Sequence, residues 1–323
     1  MKPILKLYRG YSNGQELIVM GHVFKPTTKE DYDFQKKNFG NAKSIIRLFT
    51  VKIQRNATVY LEYNGLKIRT KTLDDGYFKF SIPLTMELPY GWNEYRISIT
   101  YKDEEIIATD TFIHPPKGKW GFISDIDDTF LISHSNSFFK KLYVLLFKNL
   151  NNRKIFEDVV HHYDALSRAG RDNENDKNAF FYVSSSEWNL YRFITRFAEL
   201  HALPEAVLLL KDIKTSLTDF FRTGRGDHNH KFDKIKHILE FYPKLKFVLL
   251  GDDTQQDPFL YENLCKIFPI TVKAVYIRQT GKHKKQKTID VLKNLESMDV
   301  ECCYFKHSSE AIAHSAKIGI TTL

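Results

Sequence analysis

Six short apolar runs, WGFIS, AFFYVS, AVLLL, KFVLLG, VKAVYI and ECCYF, recur along the chain after residue 119. A strand with one wet face alternates apolar and polar residues, whereas a run that is apolar throughout must be covered on both faces. Segments of helical period, among them EWNLYRFITRFAEL and KFDKIKHILEFY, lie between the later runs. In the first of these, Leu190, Phe193, Ile194, Phe197 and Leu200 form one stripe. Strand and helix in alternation predict a parallel sheet with helices on both faces, a three-layer α/β domain. Ligands of such domains bind at the carboxyl ends of the strands. The residues directly after each apolar run are therefore the ones to read for chemistry.

Before residue 113 the pattern has period two. Val59, Leu61 and Tyr63 share a face in TVYLEY, as do Phe78, Phe80 and Ile82 in YFKFSI and Tyr95, Ile97 and Ile99 in YRISIT. Asn64-Gly65 and Asp74-Asp75-Gly76 supply turns between the runs. Short alternating strands so punctuated predict an antiparallel, immunoglobulin-like β-sandwich. Only Ser44 to Phe49 breaks the pattern, with Ile45, Leu48 and Phe49 at helical spacing. The run HPPKGKW, from His114 to Trp120, interrupts both periodicities and marks the boundary. The expected domains are a sandwich at 1–116 and an α/β domain at 117–323, with a helical insert at about 133–178. A chain of 323 residues accommodates both.

Composition narrows the class. Hydrophobic residues make up 42% and charged residues 27%, and no apolar run nears the roughly 20 residues that span a bilayer. The first residues, MKPILKLYRGYSNGQ, do not read as a secretory signal. Three cysteines, two of them adjacent (Cys302 and Cys303), make no disulfide framework and no metal spacing. The expected setting is cytoplasmic, with peripheral membrane association as an option. A net charge of +9 favours anionic partners: phosphate esters, nucleic acid or acidic lipid.

The strand-end rule picks out a set. After GFIS come Asp125, Asp127, Asp128 and Thr129; after FFYV comes Ser184; after FVLLG come Asp252, Asp253 and then Asp257. His230 and Lys231 open a helix between the AVLLL and KFVLL runs. Carboxylates crowded at a buried strand's end repel one another, and a cation would offset that. Mg²⁺ takes oxygen ligands and keeps some of its waters, so Asp125 and Asp252 from two strand ends would suit it. An EF-hand is excluded for DIDDTFLISHSN, because its sixth position is Phe130 and its twelfth Asn136.

D-x-D-x-T after a strand, a serine after the next, a lysine on a later helix and G-D-x-x-x-x-D after a fourth strand resemble the ordered signature of haloacid-dehalogenase-like (HAD-like) phosphohydrolases. Within that group, DIDDT, YVSSSEWNLY, His230-Lys231 and GDDTQQDPFLY resemble the actin-patch phosphatidate phosphatases of fungi and their bacterial relatives, as does YRGYSNGQELIVMGHVF in the front half. Ser185 and Glu187 stand where that family has asparagine and proline, and Phe259 where it has an acid.

The resemblance implies roles. Asp125 would attack phosphorus to form an aspartyl-phosphate that water hydrolyses. Asp127 would protonate the leaving alkoxide and then deprotonate water. Thr129, Ser184 and Lys231 would surround the phosphoryl group, Thr129 by fixing its loop and Lys231 by offsetting charge. The acids facing Mg²⁺ would be Asp125, Asp127, Asp252 and Asp257. Asp128 and Asp253 read as solvated, and His230 as a neighbour. Pro258 is expected to hold Asp257 in extended backbone.

Phosphatidate hydrolysis to diacylglycerol is the activity implied. A phosphatase for a soluble phosphomonoester and a non-catalytic adaptor built on the sandwich both stay open. Residues 137–154, SFFKKLYVLLFKNLNNRK, read as a cap helix over the entrance or as an interfacial helix beside anionic lipid. The cluster Lys282 to Lys287 lacks the interleaved aromatics of a nucleic-acid binder and reads as a solvated face, with phosphate steering as the other option.

Overall fold

The structure, a computed structural model, describes residues 2–26, 52–126, 153–171, 176–211, 228–254 and 256–322. The expected helical turn at Ser44 to Phe49 and the segment 137–152 lie outside the described residues. The chain forms two compact units. One comprises residues up to His114 together with Glu187–Arg192; the other comprises Pro115–Ser186, Phe193–Lys211 and Asp227–Leu323. The change falls inside HPPKGKW.

Among its described residues the first unit holds seven strands: β1 (Ile4–Ser12), β2 (Glu16–Phe24), β3 (Thr58–Tyr63), β4 (Leu66–Lys71), β5 (Tyr77–Pro83), β6 (Gly91–Tyr101) and β7 (Glu104–His114). They hydrogen-bond into one sheet in the order β4-β3-β6-β7-β1-β2-β5. Pairing is antiparallel except between β1 and β7, where Gly10 faces Phe112 and Tyr11 faces Ile113. The edge strands β4 and β5 are consecutive in sequence, separated only by residues 72–76. That link reaches about 20 Å, whereas six inter-strand gaps of ~4.8 Å would part the edges by ~29 Å in a flat sheet. The sheet must therefore curl until its ends approach, nearly a closed barrel. Leu7, Leu17, Val19, Val59, Leu61, Phe78, Phe80, Tyr95, Ile97 and Phe112 fill its inner face. A curled sheet and two stacked sheets bury alternate residues in the same way, so the period-two pattern is common to both.

The second unit holds β8 (Trp120–Asp125), β9 (Ala179–Glu187), β10 (Val207–Lys211), β11 (Lys246–Asp252), β12 (Val272–Arg278) and β13 (Glu301–Phe305), one strand for each apolar run. They lie in the order β10-β9-β8-β11-β12-β13. The pairs β8–β9, β8–β11, β11–β12 and β12–β13 are parallel. The direction of winding reverses between β8 and β11. A crevice opens at such a switch point, because the connections from the two strands depart to opposite sides.

The described helices are α1 (Arg153–Arg168), α2 (Tyr191–Leu200), α3 (His228–Phe241), α4 (Asp257–Ile267), α5 (Gln286–Glu296) and α6 (Ser308–Lys317). Five of them fall into two packed sets, α1 with α6, and α3, α4 and α5 in series. Helix α1 occupies the second half of the expected insert and packs inward through Val159, Tyr163 and Leu166. The Tyr163 hydroxyl meets Ser124 Oγ at 2.9 Å. Leu190 just ahead of α2 and Ile194 and Phe197 within it are buried as the stripe requires, but Leu200 is exposed at the helix end.

Candidate active site

The site grows from the carboxyl ends of β8 and β11. Register pairs Ser124 with Leu250, so Asp125 and Asp252 end neighbouring parallel strands at the same edge of the sheet. Both are buried, with 1% and 0% exposure. On the other side of β8, Asp125 pairs with Val183, and Ser184 follows one residue on, fully buried.

Lys231 ties the edge together. It is 3% exposed, on the first turn of α3. Its Nζ lies 3.1 Å from Asp125 Oδ2 and 2.7 Å from Asp257 Oδ1. An ammonium buried between two carboxylates is held only if both partners persist, because each ion alone carries a desolvation cost of several kcal/mol. Side chains 26 to 132 positions apart in the chain are thus locked to one another, and His230 sits beside them, partly buried.

Asp257 begins α4, with Pro258 in the first turn. The expectation of extended backbone at Asp257 is corrected here: the residue is helical. Proline fits the first turn because no intrahelical donor is lost there. The helix start brings the carboxylate back against β11. A Cβ placed on Gly251 would come within 2.6 Å of Asp257 Oδ2 and 2.9 Å of the Tyr261 hydroxyl, so only glycine permits this approach. Burial, with the charges of Asp257 and Asp125 adding, holds the Tyr261 phenol far above its ordinary pKa. It remains a donor and bonds the Leu250 carbonyl at 2.9 Å.

Asp252 is aimed by its own turn: Oδ1 accepts the Thr254 backbone N–H at 2.5 Å and the Thr254 hydroxyl at 2.7 Å. Asp253 was expected to be solvated and is not. It is 3% exposed and accepts from the Thr280 hydroxyl at 2.5 Å and the Tyr304 hydroxyl at 2.6 Å, while Lys285 Nζ lies 3.5 Å from Oδ1. Successive residues at a strand's end point to opposite sides. Asp252 takes one side and Asp253 braces the loop beyond β12 against β13.

Arg278 escaped the sequence reading. It ends β12, pairs with Asp252, and is 3% exposed. Its guanidinium donates to Ser308 Oγ at 2.9 Å and lies over the Phe305 ring, 5.1 Å from the centroid. Burial lowers its pKa, opposed by Tyr163, Asp252 and Asp158. The strand-end rule, applied to VKAVYIR as to the other runs, would have found it. Asp127, Asp128 and Thr129 lie outside the described residues.

Asp125, Asp252 and Asp257 with Lys231 leave an excess of negative charge at the edge. Asp257 Oδ2 is buried with no hydrogen-bond partner among the described residues. Among those residues no three His, Cys, Asp or Glu side chains form a metal cage by themselves. A hard cation carried by one or two carboxylates and its own waters fits such a set; a closed protein cage does not.

Comparison with known proteins follows the same segment. Among solved structures, a carbohydrate acetylesterase from Xanthomonas citri is similar at 9% identity and a TM-score of 0.36, covering 99% of this chain and 75% of that one. The PilB minor pilin from Streptococcus sanguinis is similar at 12% identity and 0.31, covering 96% and 85%. Overlaps this loose bear neither on fold nor on activity. Phosphatidate phosphatase APP1 of Saccharomyces cerevisiae is 26% identical over 217 residues, which is 67% of this chain and 33% of that protein. The chain thus spans about a third of the length of that curated relative. Residues 120–279, which run from the first residue of β8 to just past Arg278, match the family described as phosphatidate phosphatase APP1, catalytic domain. Through that segment the chain is similar to the APP1 phosphatidate phosphatase family.

Proposed function

We propose that the chain is a phosphomonoester hydrolase of HAD-like mechanism, with Asp125 as nucleophile, Mg²⁺ as cofactor and phosphatidate as substrate. The observation that supports this most is the Lys231 ammonium, buried between Asp125 and Asp257 at the switch point of the parallel sheet. A carboxylate oxygen of Asp125 attacks phosphorus, the phosphorus–ester oxygen bond breaks, and the leaving alkoxide takes a proton from Asp127. Water then attacks the aspartyl-phosphate, Asp127 receives its proton, and inorganic phosphate departs with the Asp125 carboxylate restored. Lys231 donates N–H groups toward the phosphoryl oxygens, whose charge grows in each transition state, and Ser184 does the same from β9. Asp125, Asp252 and Asp257 would hold Mg²⁺, which supplies charge neutralisation at the phosphoryl group. The substrate assignment rests on the family: the yeast relative bears the name phosphatidate phosphatase.

The test uses the full chain with Mg²⁺, dispersed phosphatidate and a panel of soluble phosphomonoesters. Asp125→Asn should keep the native circular dichroism spectrum, lower the thermal midpoint because Lys231 loses one of its two carboxylates, and lose about a thousandfold or more of the hydrolysis rate, as expected for a covalent nucleophile. Equal rates for wild type and variant end the enzyme reading. Hydrolysis of soluble esters alone ends the lipid assignment.

A further inference from the structure

We propose that the loop between β12 and α5, with the turn between β13 and α6, is the docking surface of this protein for an anionic bilayer. The inference rests on the phosphatidate reading in one respect only: it explains how a protein with no spanning helix among its described residues would meet a substrate embedded in lipid.

Position comes first. Both segments leave the carboxyl ends of their strands, the same edge at which β8 and β11 present Asp125 and Asp252. Strand β12 is the immediate neighbour of β11. Strands stand ~4.8 Å apart, so the loop begins about 10 Å from β8 across the sheet. It is also fastened to the site: Lys285 reaches the carboxylate and the backbone carbonyl of Asp253, next to Asp252.

Charge comes second. Lys282, His283, Lys284 and Lys287 are exposed in the loop and the start of α5, and Lys306 and His307 are exposed in the neighbouring turn. Lys284 lies over the Tyr304 ring, 5.1 Å from its centroid, which keeps the two segments together. The opposing acids are few and engaged. Asp253 is buried against Lys285, Asp290 accepts from Gln286, and Glu310 accepts the backbone N–H groups of Lys306 and His307. The patch therefore carries a net positive charge in a chain that is itself at +9.

The chemistry of the occupant follows. The exposed large apolar side chains described in this unit, Leu200, Ile267 and Ile270, come before β10 in the first case and before β12 in the others, toward the opposite edge of the sheet. The basic face thus has lysines and no apolar wedge of its own among the described residues. Such a surface recognises charge density, as a leaflet with acidic headgroups offers, and ignores neutral lipid. It would hold the crevice toward the bilayer, and its grip would weaken as salt screens it.

The experiment is co-flotation of the full chain with vesicles of phosphatidylcholine alone and of phosphatidylcholine with phosphatidylserine. Wild type is compared with a K282A, K284A and K287A triple variant that spares Lys285. Each lysine near an anionic surface is worth about fivefold in partition, so the triple variant should lose about a hundredfold. Hydrolysis of soluble p-nitrophenyl phosphate, followed in parallel, should be unchanged. Equal binding of both proteins, equal binding to neutral vesicles, or a loss confined to a nucleic acid competitor overturns the proposal. Absence of any hydrolysis with charge-dependent flotation intact sinks the enzyme reading and leaves the docking surface standing.

Discussion

The two units bury polar groups in opposite ways. Among the described residues of the curled-sheet unit the buried polar side chains are neutral, Ser12, His22, Thr72 and Ser98, scattered among apolar neighbours. Thr72, for instance, accepts from the Ala57 N–H and donates to the Gln54 carbonyl, a pair of ordinary bonds that fasten a turn. In the parallel-sheet unit Asp125, Asp252, Asp253, Asp257, Lys231 and Arg278 are all at most 3% exposed, and they gather at one edge. Burying an ion costs several kcal/mol that pairing repays only in part. A fold does not need such a cluster to be stable, as the first unit demonstrates. Charge concentrated at a crevice is the signature of a site built for chemistry.

That contrast can be broken most directly at Lys231. Lys231→Met keeps the length of the side chain and removes the charge, leaving Asp125 and Asp257 facing each other without their ammonium. Stability should fall by about 3–5 kcal/mol and the rate of phosphate release by at least ~100-fold. Urea denaturation and a phosphate assay read the two effects. A variant as stable and as active as wild type would mean the buried charges are not a working set.

Gly251→Ala asks a finer question of the same edge. The new methyl would press on Asp257 Oδ2 and the Tyr261 hydroxyl. Overpacking of this kind costs ~1–3 kcal/mol, and displacing a functional carboxylate by a fraction of an ångström should lower kcat about 10- to 100-fold. KM should move less. Full activity would show that the close approach of α4 to β11 is mere packing.

The smallest effect compares the units through one histidine each. His22 bonds the Tyr8 hydroxyl at 2.9 Å in the first unit, and His162 bonds Ser315 Oγ at 2.9 Å in the second. Burial holds both imidazoles down to about 3. They are neutral in the native protein, whereas in the unfolded chain they titrate near 6.5. Below that pH the unfolded state binds protons that the native state refuses. Each histidine therefore removes about 1.4 kcal/mol of stability per pH unit as pH falls from 6.5 toward 3. His22→Gln and His162→Gln should each flatten the loss between about pH 6.5 and pH 5.5 by about 1 kcal/mol, since the unfolded imidazole is only half protonated at the start of that interval. Urea midpoints that fall as steeply in both variants as in wild type would show that neither imidazole governs the slope.

Much of this was legible beforehand, and particular residues say why. Each apolar run became a strand of the parallel sheet, because a segment with no polar face has nowhere to go but a covered layer. Asp125 and Asp252 were legible because a strand-end rule converts a linear position into a spatial one, whereas Lys231, on a helix, was legible through the family resemblance. Asp253 was misread because its burial depends on partners elsewhere, and Arg278, though its strand-end position marks it, owes its burial to contacts of the same kind. Tyr304, Thr280 and Lys285 turn Asp253 inward, and Ser308 and Phe305 enclose Arg278. Nothing in GDD or YIR reveals those neighbours. The helical state of Asp257 was hidden for a related reason: the local preference of a residue before proline was overridden by the start of a packed helix.

The single curled sheet of the first unit was hidden too. Alternation records which residues face inward, and it does so identically whether strands close on themselves or stack in two layers. By itself, then, the sequence determined the elements, their inward faces and the chemical kinds of group at each strand end, since those follow from hydrophobic period and residue type. Only the tertiary structure decided which strands are neighbours, that Lys231 bridges Asp125 and Asp257, and that Asp253 is buried. Those outcomes rest on contacts between segments far apart in the chain, and such contacts leave no periodic trace along it.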